Sequence, residues 1–179
     1  MIPIDIIKKY YEEKSELYDI LVTHSLSVTN KALEIIQIHS EWKIDKAFIL
    51  EASLLHDIGI YLTNAPAIQC FGNFPYICHG YLGSKILQKE NLHRHALVCE
   101  RHTGTGLTKE DIIRNNIPLH HKNSLPETLE EKLICFADKF YSKTQLCRIK
   151  TIDQIKKSLS KHGRDSVLRF EDMLKLFLG

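Results

Sequence analysis

Apolar residues recur at helical spacing along nearly the whole chain. Between Tyr18 and Ile38, the positions Leu21, Val28, Ala32, Leu33, Ile35 and Ile36 fall broadly on one stripe of a helix. Asp45 is placed to N-cap a second helix running through Ala47, Leu50, Leu54 and Leu55, with Gly59 as its C-terminal stop. Helical spacing returns after His79, at Leu82, Ile86 and Leu87, and a short apolar segment from Ala96 to Cys99 leads to His102. Thr108-Lys109-Glu110-Asp111 reads as a helix start with an acidic first turn. Thr128 to Glu131 fits a capping box opening a helix through Leu133, Ile134, Phe136, Ala137 and Phe140. Two more helices are predicted over 151–162 and 165–178, separated by Gly163, the last amphipathic through Val167, Leu168, Phe170, Leu174, Phe177 and Leu178. No stretch alternates as a strand does, and 60–78 and 103–107 read as loops. The pattern predicts an all-α, single-domain bundle of about seven to nine helices. The final helix packs onto the bundle, with a homodimer face as its alternative.

Composition narrows the classes of function. The chain has 179 residues, 44% hydrophobic and 26% charged, with a net charge of +2. That is enough to bury a core without staples, and it gives no broad polybasic field for duplex nucleic acid or an anionic membrane. The five cysteines (Cys70, Cys78, Cys99, Cys135 and Cys147) form no CxxC pair and are odd in number. They read as free thiols, which implies a reducing, cytoplasmic setting. The N-terminus lacks the apolar core of a signal peptide. No apolar run approaches the roughly 20 residues needed to cross a bilayer.

The chemistry is carried by histidine and aspartate. Leu54-Leu55-His56-Asp57-Ile58-Gly59 is read with His24, His79, His102 and Asp138, giving four imidazoles and two carboxylates in the order His, His-Asp, His, His, Asp. Such a set suits one or two divalent cations, and its mixed donors fit iron, manganese, cobalt or zinc better than magnesium. Each residue alone has an ordinary alternative. The His-Asp pair is close to chance in a chain with ten histidines. His24 can be a satisfied helical histidine, His79 a cap, His102 a partner of a helix C-terminus, and Asp138 half of a structural ion pair. Yet Asp57 beside leucines, and Asp138 within Leu133-Ile134-Cys135-Phe136-Ala137-Asp138-Lys139-Phe140, would be costly to bury without a cation. His39, His93, His95, His120, His121 and His162 fall outside the pattern and are expected at the surface.

The ordered set resembles the HD superfamily of metal-dependent phosphohydrolases, in its HDIG-type branch. The matching stretches are His24-Ser25-Leu26-Ser27-Val28, Ala52 to Gly59, His79-Gly80-Tyr81-Leu82-Gly83, Glu100-Arg101-His102-Thr103-Gly104 and Phe136-Ala137-Asp138-Lys139, spanning roughly residues 20–142. The resemblance implies a helical domain of the HD type over residues 1–179, with helices 151–178 packed on that ligand-bearing core. It implies that His24, His56, Asp57 and Asp138 form a basic metal site. It further implies that His79 and His102 add a second metal, with Asp57 bridging, and two metals are preferred to one. The spacing of His79 and His102 and the threonine after the latter also resemble bacterial HD-type hydrolases that split diadenosine tetraphosphate symmetrically, which implies iron. The pattern departs at Ile60, where many HDIG proteins place a lysine. Arg101, Lys139, Lys143 and Arg148 are the candidate cations that would hold phosphate instead.

The function expected is hydrolysis of a phosphomonoester, phosphodiester or phosphoanhydride of a nucleotide or related small molecule, by metal-activated hydroxide, with Asp57 and His56 catalytic. Two alternatives stay open at this point. One is a regulatory module that binds metal and nucleotide without turnover, and the other is a di-iron HD-type oxygenase.

Overall fold

The structure, a computed structural model, describes residues 2–146 and 148–179. It is built from helices, as the periodicity requires: α1 (Pro3–Lys8), α2 (Glu16–Ile38), α3 (Lys46–Leu55), α4 (His79–Lys89), α5 (His93–Arg101), α6 (Lys109–Arg114), α7 (Leu129–Asp138), α8 (Ile152–Leu159) and α9 (Arg164–Leu178). Three very short strands, β1 (Thr63–Ala65), β2 (Cys70–Phe71) and β3 (Phe74–Pro75), interrupt the segment expected to be loop. β1 is central, antiparallel to β2 and parallel to β3. At two or three residues each, they are too short for alternation to be seen in sequence.

Local signals set the helix ends. Ser15 accepts a hydrogen bond from the Tyr18 N–H and Asp45 one from Phe48, each satisfying a donor the first turn leaves free. Thr108 and Asp111 form a reciprocal capping box, as do Thr151 and Gln154. The box expected at Thr128 is only half made. Thr128 caps Glu131, but the Glu131 carboxylate accepts from the Glu127 N–H and from Arg101 instead of the cap residue.

Two apolar clusters divide the interior. One gathers Val28, Ala32, Ile35, Ile49, Leu133, Phe136, Phe170 and Phe177, with Trp42 against it. The other gathers Ile7, Tyr11, Leu21, Leu55, Ile58, Ile60, Leu87 and Cys99. Along α2, Leu21 belongs to the second and Val28 to the first, and His24 lies between them. The polar residues of interest therefore sit at the seam of two cores. Cys70, Cys78, Cys99 and Cys135 are buried and free; Cys147 lies outside the described residues. Among those residues, no helix is long and apolar enough to cross a membrane.

Gly59 does not stop a helix. α3 ends at Leu55, with His56 as its C-cap, and Gly59 has an ordinary φ of −86°. A Cβ there would lie 2.3 Å from the His79 carbonyl oxygen and 2.4 Å from the Gly83 nitrogen. The glycine allows the first turn of α4 to press against the end of α3. Gly80 does the same for α5, since its Cβ would meet the Cys99 carbonyl oxygen at 2.4 Å.

His95 corrects the expectation of a surface histidine. It is 9% exposed, edge-on to the Phe48 ring and 3.2 Å from Glu51. His39 is half-buried, stacked on Trp42 and bonded to the Phe177 carbonyl.

Two predictions follow from these contacts. Gly59→Ala should lower stability by about 1–3 kcal/mol through overpacking, read as a shifted urea midpoint at unchanged slope. Asp111, 3% exposed, accepts from Thr108, Arg169 and Arg114. Burial acts to raise its pKa, but the Thr108 N–H and the Arg169 guanidinium outweigh that and hold it below the ordinary range. The folded value being the lower one, this stabilisation is complete above the unfolded pKa of about 3.9 and vanishes as pH falls through the folded value. Asp111→Asn should therefore destabilise at neutral pH and flatten the acid limb of a stability-versus-pH curve; an unchanged acid limb would count against it.

Candidate metal centre

The six residues singled out in sequence converge. His24 comes from the middle of α2, His56 and Asp57 from the end of α3, His79 from the first turn of α4, His102 from the C-cap of α5, and Asp138 from the last turn of α7. All are 9% exposed or less. Donor atoms of His24, His56, Asp57 and Asp138 lie within 4.8 Å of one another, and so do those of Asp57, His79 and His102. Asp57 belongs to both groups.

Its two oxygens face different ways. Oδ2 is 3.2 Å from His24 Nε2 and 2.9 Å from His56 Nε2. Oδ1 is 3.4 Å from both His79 Nε2 and His102 Nε2. Asp138 Oδ1 completes the first group, 2.9 Å from His24 Nε2 and 3.6 Å from His56 Nε2.

The backbone fixes which nitrogen each imidazole offers. Nδ1 of His56, His79 and His102 lies 2.6, 2.7 and 2.8 Å from the carbonyl oxygens of Ser53, Tyr76 and Cys99, each three residues earlier. Only a protonated Nδ1 can donate to a carbonyl, so each Nε2 carries a lone pair in the neutral ring. The Nε2 atoms of His79 and His102 are then lone pairs facing each other across 3.1 Å. His56 Nε2 and both Asp57 oxygens are buried without a hydrogen-bond partner. Acceptors gathered this densely are costly in a protein interior; Lys143, 2.5 Å from Asp57 Oδ2, offsets part of that cost, and divalent cations would offset the rest. The residues therefore fit one or two divalent ions.

Protonation tendencies agree. Burial pushes His79 down to about 3 and lowers His102, leaving both neutral. Burial opposes ionisation of Asp57 and Asp138, but His56 and Lys143 for the former, and Lys139 and His24 for the latter, hold both well below the usual carboxylate range. His56 is the exception. Burial would lower it, yet Asp57 and Asp138 raise it to about 9.

A cavity of about 510 Å³ opens onto this cluster. His79, His102, Asp138, Lys139 and Lys143 line it, with Tyr76, Thr103 and the α8–α9 residues Ile155, Leu159 and Arg169. Of the four expected phosphate-holding cations, two are there. Lys143 Nζ is 2.5 Å from Asp57 Oδ2, and Lys139 Nζ is 2.8 Å from Asp138 Oδ2. Asp138 thus makes the structural ion pair through one oxygen and faces the histidines with the other. Arg101 does not reach the cavity: Glu131 and Glu127 hold it at 2.9 and 3.0 Å. Arg148 is exposed and bonds the Gln145 side chain. Lys150, which sequence proximity to the ligands did not suggest, does line the cavity.

The model of the HD domain matches residues 21–142. The chain belongs to this family. Chains similar to it include an uncharacterised protein of Methanocaldococcus jannaschii, 34% identical over 81% of this chain and 79% of that one. A tRNA (cytidine(56)-2'-O)-methyltransferase of Picrophilus torridus is 32% identical over 72% of this chain, and one of Thermoplasma volcanium is 25% identical over 98%. The matched region is only 34% and 46% of those two enzymes' lengths. No solved structure matches the chain.

If both donor groups hold metal, Asp57→Ala should weaken metal binding by more than about 100-fold, measured by elemental analysis, without loss of helical circular dichroism. His79→Ala should remove one ion per chain and leave the other. Unchanged stoichiometry in that variant would limit the centre to the first group.

Proposed function

We propose that this HD-domain protein is a metal-dependent phosphohydrolase acting on a nucleotide or a related small phosphoester. The observation that carries the reading is the division of Asp57, one oxygen toward each histidine group, beneath a cavity that His79, His102, Asp138, Lys139 and Lys143 line. His24, His56, Asp57 and Asp138 would hold one ion, and Asp57, His79 and His102 a second. Divalent ions there supply Lewis acidity toward phosphoryl oxygens and lower the pKa of water toward neutrality.

The protein's own contribution is placement and charge. The carbonyls of Ser53, Tyr76 and Cys99 hold three imidazoles with Nε2 turned toward the carboxylates, so the ring orientations are set before binding. Lys139 and Lys143 line the cavity and neutralise the carboxylates of the cluster. A volume of about 510 Å³ suits a mononucleotide-sized molecule rather than a duplex.

Phosphate release from a panel of nucleotides and small phosphoesters under anaerobic conditions tests this. Chelated protein should be inactive and should recover with iron, manganese, cobalt or zinc. Asp57→Ala should lower turnover at least about 100-fold. Tight metal-dependent nucleotide binding without release would favour a regulatory module, and oxygen consumption with an organic substrate an oxygenase.

A further inference from the structure

Among the described residues, three of the four Lys and Arg side chains that line the cavity are paired with carboxylates. Asp138 is matched by Lys139 at 2.8 Å, Asp57 by Lys143 at 2.5 Å, and Asp111 by Arg169 at 2.8 Å. Lys150 lines the same cavity, and no carboxylate lies within ion-pair distance of it among the described residues. Its Nζ donates 2.8 Å to the Tyr141 carbonyl, and its backbone N–H donates 2.8 Å to the Phe140 carbonyl. These two bonds tie Lys150 back onto the end of α7 and set its ammonium at the cavity wall. The direction of its titration agrees: burial lowers its pKa, and Lys139 and Lys143 act in the same sense against Asp138. A half-buried ammonium whose one partner is a neutral carbonyl is under-compensated, and an anion is what it lacks.

We infer that Lys150 is the phosphate-binding cation of this chain, supplying from beyond residues 21–142 the positive group that many HDIG proteins carry directly after the motif glycine. Ile60 occupies that place here and is fully buried in the apolar cluster. Lys139 and Lys143 are already committed to the carboxylates of the metal centre. Lys150 alone adds net positive charge to the cavity without removing it from those carboxylates. Its ligand is a phosphate oxygen of the substrate, so it is a binding residue that acts on affinity.

This rests on the phosphohydrolase reading, and two measurements keep the two apart. The first is calorimetric binding of inorganic phosphate to the metal-loaded protein, which needs no turnover. Lys150→Met, which keeps the aliphatic stem, should weaken phosphate binding by about 10- to 100-fold. Lys150→Arg should stay within about threefold of the unaltered protein. Both should retain metal content and melting temperature. The second is steady-state hydrolysis of any active phosphoester, where Lys150→Met should raise KM with kcat largely kept. Phosphate binding by Lys150→Met equal to that of the unaltered protein would overturn the assignment. So would equal losses in Lys150→Met and Lys150→Arg with a lowered melting temperature, which would mark Lys150 as a loop tether. If the unaltered protein binds phosphate through Lys150 but hydrolyses nothing, the phosphohydrolase reading fails and this one stands.

Discussion

Everything in this molecule is arranged around one fully buried carboxylate. Asp57 has no solvent exposure, and an uncompensated charge in that position would cost several kcal/mol. Charge compensation comes from Lys143 beyond α7 and from His56 beside Asp57 in sequence, while His24 from α2, His79 from α4 and His102 from α5 bring three more ring nitrogens within 3.4 Å. No single element can provide that. The bundle has to close at this point, which explains why the site lies at the seam between the two apolar clusters and not inside either.

A repeated local device delivers three of the imidazoles. His56, His79 and His102 each stand at a helix end, where the ring can turn back and donate from Nδ1 to the carbonyl three residues earlier. A helix terminus is where such carbonyls are free. His24 lies mid-helix, where the Ser25 and Thr29 positions are also buried and Thr29 bonds the Ser25 carbonyl. Its Nδ1 has no partner, so its orientation comes from packing and from the two carboxylates in front of it. The cluster thus combines three imidazoles set by local backbone and one set by tertiary structure.

The legibility of the sequence followed the same division. Long helices, their caps at Asp45 and Thr108, and the ordered His and Asp positions were readable because each rests on spacing or on local hydrogen bonding. The role of Gly59 was not. It looked like a helix stop, and its reason lies in a close approach of α4 that no local pattern records. Arg101 shows the limit from the other side. Being next to a ligand in sequence said nothing about Glu127 and Glu131, which hold it away from the cavity. Lys150 shows the converse, since bonds to Phe140 and Tyr141 at the end of α7 bring it in. The short strands and the burial of His95 likewise depend on neighbours distant in sequence.

That last pattern has a structural consequence. The family domain ends at residue 142, but the cavity does not: Ile155, Leu159 and Arg169 form part of its wall. α9 is not a loose lid on that wall. Arg169 donates to the Gly106 carbonyl, to Thr105 Oγ1 and to Asp111, and Thr105 in turn donates to the Ser166 carbonyl. The segment so gripped begins immediately after His102. Cys135 of α7 reaches the same place, its thiol donating to the His102 and Gly104 carbonyls. The wall contributed by the C-terminal helices and one of the metal-centre imidazoles are therefore held by a single network. A change in the wall that shifted Arg169 would be felt at His102, so the size of the cavity and the geometry of the centre are set together, even though part of the wall lies beyond the shared domain.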